Sequence, residues 1–306
     1  MEDSKNLQPT NEINSSEDDV LDVKNYEIQD KILKINEWKF YKVIDKSKEE
    51  YMVKSSSKPL NKLNKGKIIN FFRGIDNNSK FNYPTILKYV GYSLNNFKNK
   101  PKPVIFTEYA SKYNLKSLIS QLNKNEVILE WTDTKKLITI YGIASGMSYL
   151  HSNNIIHCNL DLESVFLDKN FHPKITSFEY SKKLPENGFI NEHEIKGNIM
   201  YQPPEVLSRL TYSKSSDVYS FSLVMYSILT NKEPFQKLRV TTEIIRNFSI
   251  KNEHLPFNFR VSNCFKDLIE RCWSSDSKKR PTFDEILNEL RTNKEFITEK
   301  VNKGEY

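Results

Sequence analysis

Between Ile155 and Tyr180 the chain reads IIHCNLDLESVFLDKNFHPKITSFEY. The run has the rhythm of a catalytic loop followed by a metal-binding loop. Reactive groups are expected at three of its positions, which hold Asn159, Ser164 and Ser177. An amide takes up no proton at neutral pH, so Asn159 is no general base. A hydroxyl does not replace a carboxylate on magnesium, so Ser177 is a poor metal ligand. Carboxylates stand nearby at Asp161, Glu163 and Glu179, each displaced from those positions.

These residues need a scaffold, and 306 residues suffice for one large two-lobed domain. With 38% hydrophobic and 28% charged residues, the composition is that of ordinary globular protein. The most apolar stretch, Val218–Thr230, is too short to span a bilayer and is broken by serines. The first twenty residues are acidic and polar, without the apolar core of a secretory signal. Cys158, Cys264 and Cys272 form neither a disulfide framework nor a zinc pattern, which suits a reducing compartment. The net charge is +7, but lysines are scattered among asparagines with no aromatic-interleaved stripe, which argues against nucleic acid.

Residues 1 to about 24 lack aromatics and periodicity and are expected to be disordered. From Tyr26 the segments 26–34, 37–45 and 51–54 alternate as strands of an antiparallel meander. A short helix is expected in 68–81, then two more strands in 85–93 and 103–109. In 134–152, Leu137, Ile140, Ala144 and Met147 recur at steps of three and four, one buried helix face. The 216–230 segment is apolar on most sides and reads as a core helix.

This order of motifs resembles the protein kinase family over roughly Tyr26 to Phe296. GNIMYQPPEVL is similar to the end of an activation segment, with Pro203-Pro204-Glu205 where the family has Ala-Pro-Glu. SDVYSFSLVMYSILTNKEPF resembles the central buried helix, with Asp217 at its start. LIERCWSSDSKKRPTFDEI is close to the closing motif of tyrosine and tyrosine-kinase-like kinases. The resemblance implies that Glu205 pairs with Arg280 and that Asp217 holds the catalytic-loop backbone.

It also gives each task of phosphoryl transfer an address. The phosphate-covering loop falls at Leu33–Trp38, and no glycine precedes Gly66, so no realignment restores it. Lys54 matches the ATP-binding lysine of the third strand, while its helix glutamate is replaced by Gly74. Asp76 is close, but an offset of two points it to another helix face. Asn159 stands at the base, Ser164 and Ser177 at the metal ligands, Asp161 at a lysine, and Cys158 at the arginine that receives activation-loop phosphate. Thr107 matches the gatekeeper. Phe40, Met52 and Phe166 are bulkier than the residues that usually sandwich adenine and are expected to fill that slot.

The sequence therefore predicts an α+β, bilobal protein-kinase-like fold over 26–296. A small antiparallel β-sheet N-lobe with one helix (26–107) precedes a larger, mainly helical C-lobe (108–296), between a disordered acidic tail (1–25) and a C-terminal tail (297–306). The expected function is a catalytically inactive pseudokinase, a scaffold or allosteric partner in intracellular signalling. Its expected partners are other signalling proteins, an active kinase among them, in the cytoplasm, with no nucleic acid and no membrane. No cofactor or metal is expected, and ATP is to bind weakly at most and without magnesium. The alternatives are a weak, atypical ATP-dependent Ser/Thr or Tyr kinase using Lys54, and a basic module for acidic partners.

Overall fold

The computed structural model describes residues 19–35, 37–111, 113–124, 128, 130–235, 255–257 and 261–297. Most of both expected tails (1–18 and 298–306) lies outside them. The chain divides into two compact units, one of Met1–Asn82 with Lys88–Glu108, the other of Tyr83–Leu87 with Tyr109–Tyr306.

The first unit is built on alternation of side chains. Strands β1 (Tyr26–Ile35), β2 (Trp38–Asp45), β3 (Glu50–Ser56), β4 (Tyr89–Ser93) and β5 (Val104–Glu108) form one antiparallel sheet in the order β1-β2-β3-β5-β4. Because successive residues point to opposite faces, Val43, Val53, Val104 and Phe106 form one apolar layer with Val23. On the other face Ile105 meets Phe71 and Ile75 of helix α1 (Lys65–Ser79), with Trp38 packed alongside. Asn64 caps α1 by accepting from the Lys67 amide.

The expected tail 1–25 is corrected at its end. The Leu21 amide donates to the Tyr92 carbonyl at 2.8 Å, Val20 bridges Tyr92 in parallel, and Val23 is buried. Gly91 makes this possible, since a Cβ there would lie 2.7 Å from the Asp19 carbonyl. An apolar Leu21–Val23 pair covers the sheet edge despite the acidic residues before it.

The lobe boundary also shifts. Residues Tyr83–Leu87 belong to the helical unit, where the Leu87 amide donates to Ile175 and the Ile175 amide donates to Thr85, both at 2.8 Å. In this unit α2 spans Leu115–Asn123 and α3 spans Asp133–Ser152, followed by β6 (Ile155–Ile156), β7 (Val165–Leu167), β8 (Pro173–Ile175), β9 (Lys182–Lys183) and β10 (Phe189–Asn191). Next come α4 (Pro204–Arg209), β11 (Thr211–Ser213), α5 (Lys214–Thr230), α6 (Asn263–Cys272) and α7 (Phe283–Thr292). The α3 face of Leu137, Ile140, Ala144 and Met147 is buried. Helix α5 is buried nearly all round, and three of its hydroxyls are satisfied within it: Ser222, Ser227 and Thr230 donate to the carbonyls of Tyr219, Leu223 and Tyr226.

Candidate functional site

Lys54 lies at mid-β3, opposite Phe40 of β2 and Ile105 of β5. Its ammonium stands 4.8 Å from the centroid of the Trp38 ring, a cation–π contact, and Trp38 stacks on Phe71 with centroids 5.7 Å apart and planes 8° from parallel. Thus Lys54 is linked to α1 through two rings, whereas Gly74, the position expected to hold a glutamate, is buried on α1 without a side chain. Asp76 pairs with Lys80 at 2.7 Å. Sequence reading missed Trp38, although the register that sets Phe40 against Lys54 makes Trp38 a diagonal neighbour. Phe40 and Met52 are buried, and the Thr107 hydroxyl donates to the Met52 carbonyl at 3.2 Å, tying the gatekeeper position to β3.

Ile35 pairs with Trp38, which puts Glu37 at the turn between β1 and β2. Ion pairs to Lys58 (2.5 Å) and Lys67 (2.6 Å) hold the Glu37 carboxyl down at about 2, chiefly through Lys58. A tight acidic hairpin tip therefore stands where the resemblance places a glycine-rich phosphate loop.

In the helical unit, β6 delivers the chain to His157 and Cys158. Asp217 of α5 accepts from the His157 amide (2.8 Å), the Cys158 amide (3.0 Å) and His151 Nε2 (2.9 Å). These bonds fix Cys158 at φ 61°, a left-handed conformation uncommon for a side-chain-bearing residue. Burial pushes the Cys158 thiol well up and lowers the His157 pKa. Neutral His157 is satisfied at both nitrogens: Nε2 donates to the Thr176 carbonyl (2.9 Å) and Nδ1 accepts the Asn159 amide (3.2 Å).

Asn159 and Asp161 are joined by a residue of the activation segment. The Asn198 amide donates to Asn159 Oδ1 and its side-chain Nδ2 donates to Asp161 Oδ2, both at 3.0 Å. Asp161 also accepts from the Glu163 and Ser164 amides at 2.9 Å. Burial raises its pKa. Gly197, at φ 74°, permits this approach, since a Cβ there would lie 2.5 Å from the Cys158 carbonyl. Gln202 Nε2 donates to Cys158 O and Lys196 O, so the segment is held by neutral hydrogen bonds where Cys158 offers no phosphate-binding cation. Asn198 was missed in the sequence, where only its place after Gly197 marks it.

The scaffold pair is in place. Arg280 donates to both Glu205 oxygens, at 2.7 and 2.9 Å, and its side chain is fully buried. Ser177 is left-handed (φ 71°) ahead of Phe178, whose ring meets His157 edge-on at 5.2 Å. Phe166, on β7, is fully buried and bridges Asn114.

A magnesium site of the kind the resemblance implies does not fit these residues. The Ser164 hydroxyl already donates to the Asp161 carbonyl and accepts its amide, both at 2.9 Å. The Asp161 carboxylate is occupied by three donors, and Ser177 offers only a hydroxyl. Among the described residues no group of three His, Cys, Asp or Glu could hold a metal. Nor, among them, is any helix long and apolar enough to cross a membrane.

A five-stranded sheet unit with one helix, a helical unit, and a catalytic loop held by Asp217 define a protein-kinase fold. A family described as protein tyrosine and serine/threonine kinase matches residues 34–290, and the chain belongs to that family. It is 32% identical over 211 residues to a probable serine/threonine-protein kinase of Dictyostelium discoideum, covering 68% of this chain and 15% of that protein. A dual specificity protein kinase of the same organism is 31% identical over 225 residues (73% and 16%). A serine/threonine-protein kinase of Arabidopsis thaliana is 27% identical over 223 residues (72% and 26%). The chain thus spans between 15% and 26% of the length of these relatives. They correct the expectation of a non-enzyme: the proteins matched are named as kinases, and the lost side chains do not by themselves establish inactivity.

Proposed function

We propose that the chain is the kinase domain of a cytoplasmic signalling protein of the tyrosine-kinase-like group. In this reading it transfers the terminal phosphoryl group of ATP to protein hydroxyls slowly, with Lys54 as the phosphate contact. The observation that carries it is Lys54 itself, kept in register on β3 and held over Trp38, in a chain whose catalytic loop keeps its Asp217 support. The acceptor oxygen attacks the terminal phosphorus, the bond to the ADP oxygen breaks, and the acceptor proton leaves to water, since Asn159 cannot take it. The missing base costs a factor of roughly 10²–10⁴ in rate. No step is assigned to a protein-held magnesium ion, and ATP is bound weakly. Partner binding accompanies this chemistry: the lobes meet other signalling proteins, an active kinase among them.

Melting of the full chain against ATP, with and without magnesium, tests the nucleotide part. Saturation at a hundred times Kd stabilises by about 2.7 kcal/mol, so a weak site filled near its Kd gives well under 1 kcal/mol. A small rise of similar size under both conditions, lost in Lys54→Met, is expected. A rise unchanged in Lys54→Met, or one that requires magnesium, refutes the assignment.

A further inference from the structure

The fold gathers lysines that the sequence scatters. Lys58, Lys62, Lys65 and Lys67 lead into α1, and Lys98, Lys100 and Lys102 precede β5. The Ser56 and Leu60 amides donate to Pro103 and Pro101, both at 2.9 Å, and Lys102 Nζ donates to the Ser57 carbonyl at 2.5 Å. The two stretches therefore lie side by side. Neither 55–75 nor 89–107 contains a carboxylate. Six of the seven lysines are exposed, and among the described residues Glu37, paired with Lys58 and Lys67, is the carboxylate that meets them.

Two features sharpen the patch. Helix α1 begins within it, so the positive end of its dipole adds to the lysine field. At Gly66 the backbone is open, as a Cβ there would meet only Asn64 Oδ1, at 3.7 Å. Exposed Ile69 and Leu94 supply apolar surface on α1 and just before Lys98.

We propose that this face docks an acidic segment of a partner protein, a stretch of aspartates and glutamates interrupted by an aliphatic residue. Seven cations against one carboxylate give a field that selects and steers such a segment. A nucleic-acid surface would offer arginine forks and exposed rings for stacking, and a membrane face would offer aromatic anchors. Here the cations are lysines, and Phe97 is packed into the sheet core. The proposal is independent of the ATP chemistry.

The test is fluorescence anisotropy of a fluorescein-labelled glutamate–leucine peptide with the full chain. Lys62→Glu, Lys65→Glu, Lys98→Glu and Lys100→Glu together are compared with Lys124→Glu, Lys169→Glu, Lys278→Glu and Lys279→Glu, exposed lysines of the other unit. Both sets change net charge equally. Loss of about tenfold or more in affinity with the first set, and under about twofold with the second, is expected. Lys→Gln at the first four positions gives a smaller loss in the same order and serves should the reversals fail to fold. Equal losses in both sets, no binding by the wild-type chain, or tighter binding to phosphatidylserine vesicles or single-stranded DNA than to the peptide would overturn the proposal.

Discussion

Arg280→Ala removes the most heavily bonded cation described in the helical unit. Its guanidinium donates to Glu205 Oε1 and Oε2, to the Ser215 carbonyl (3.0 Å) and to the Ser274 carbonyl (2.8 Å), and packs 5.1 Å from the Tyr219 ring. Breaking a buried pair costs about 3–5 kcal/mol, because the remaining charge has no partner. Glu205 is 19% exposed and keeps the Ser216 hydroxyl, so water relieves part of its charge. The two carbonyls lose a donor each, worth about 1 kcal/mol apiece where water does not replace it. A loss of roughly 3–4 kcal/mol follows for Arg280→Ala. Glu205→Ala should cost more, roughly 4–5 kcal/mol, since it strands a guanidinium that is 0% exposed. Urea melts followed by circular dichroism give both values. Losses below about 1 kcal/mol, or Arg280→Ala the costlier change, would refute this account of the pair.

Gly197→Ala should cost about 1–3 kcal/mol, read in the same melts, because its Cβ meets the Cys158 carbonyl at 2.5 Å from a left-handed backbone. His157, with its pKa lowered from 6.5 by burial, makes the native state bind fewer protons than the unfolded state. Its stability contribution is therefore full above about pH 6.5 and is lost as pH falls towards the folded pKa; nitrogen-15 NMR should find the Nε2–H tautomer at neutral pH, and the Nδ1–H form would contradict it. Asn159→Asp places a carboxylate oxygen where Asn159 Oδ1 already accepts from Asn198. Phosphoryl transfer should rise about tenfold or more, measured by radiolabel incorporation, and an unchanged rate would show that proton removal does not limit it.

Much of the fold was legible because its signals are local. Period-two alternation marked β1 to β3, and steps of three and four marked the α3 face. Glu205 and Arg280, 75 residues apart, were found only through the resemblance. The expected boundary at 25 was short of the mark because the covering side chains, Leu21 and Val23, are too few to show a period. The lobe boundary was blurred because 85–93 reads as one strand, while Thr85 and Leu87 bond to Ile175. The site was legible by type and not by partner. Asn159, Ser164 and Ser177 announce missing groups, but nothing local says that Asn198 ties Asn159 to Asp161, or that Trp38 lies under Lys54. The same holds for the lysines, whose neighbours are set by backbone bonds between distant loops.

The central claim is that Lys54 serves ATP-dependent phosphoryl transfer. Transfer of radiolabelled terminal phosphate from ATP to a mixed protein substrate and to the chain itself, over hours and with purified Lys54→Met run in parallel, tests it most directly. Lys54 is half-buried in the sheet and Met keeps its packing length, so loss of signal reports chemistry when both proteins melt alike. Incorporation by the wild-type chain, slower than an ordinary kinase rate of about 1–100 per second by several orders of magnitude, and reduced at least about tenfold in Lys54→Met, is the predicted result. Incorporation equal in the two proteins, or none above a no-enzyme blank in either, would contradict it.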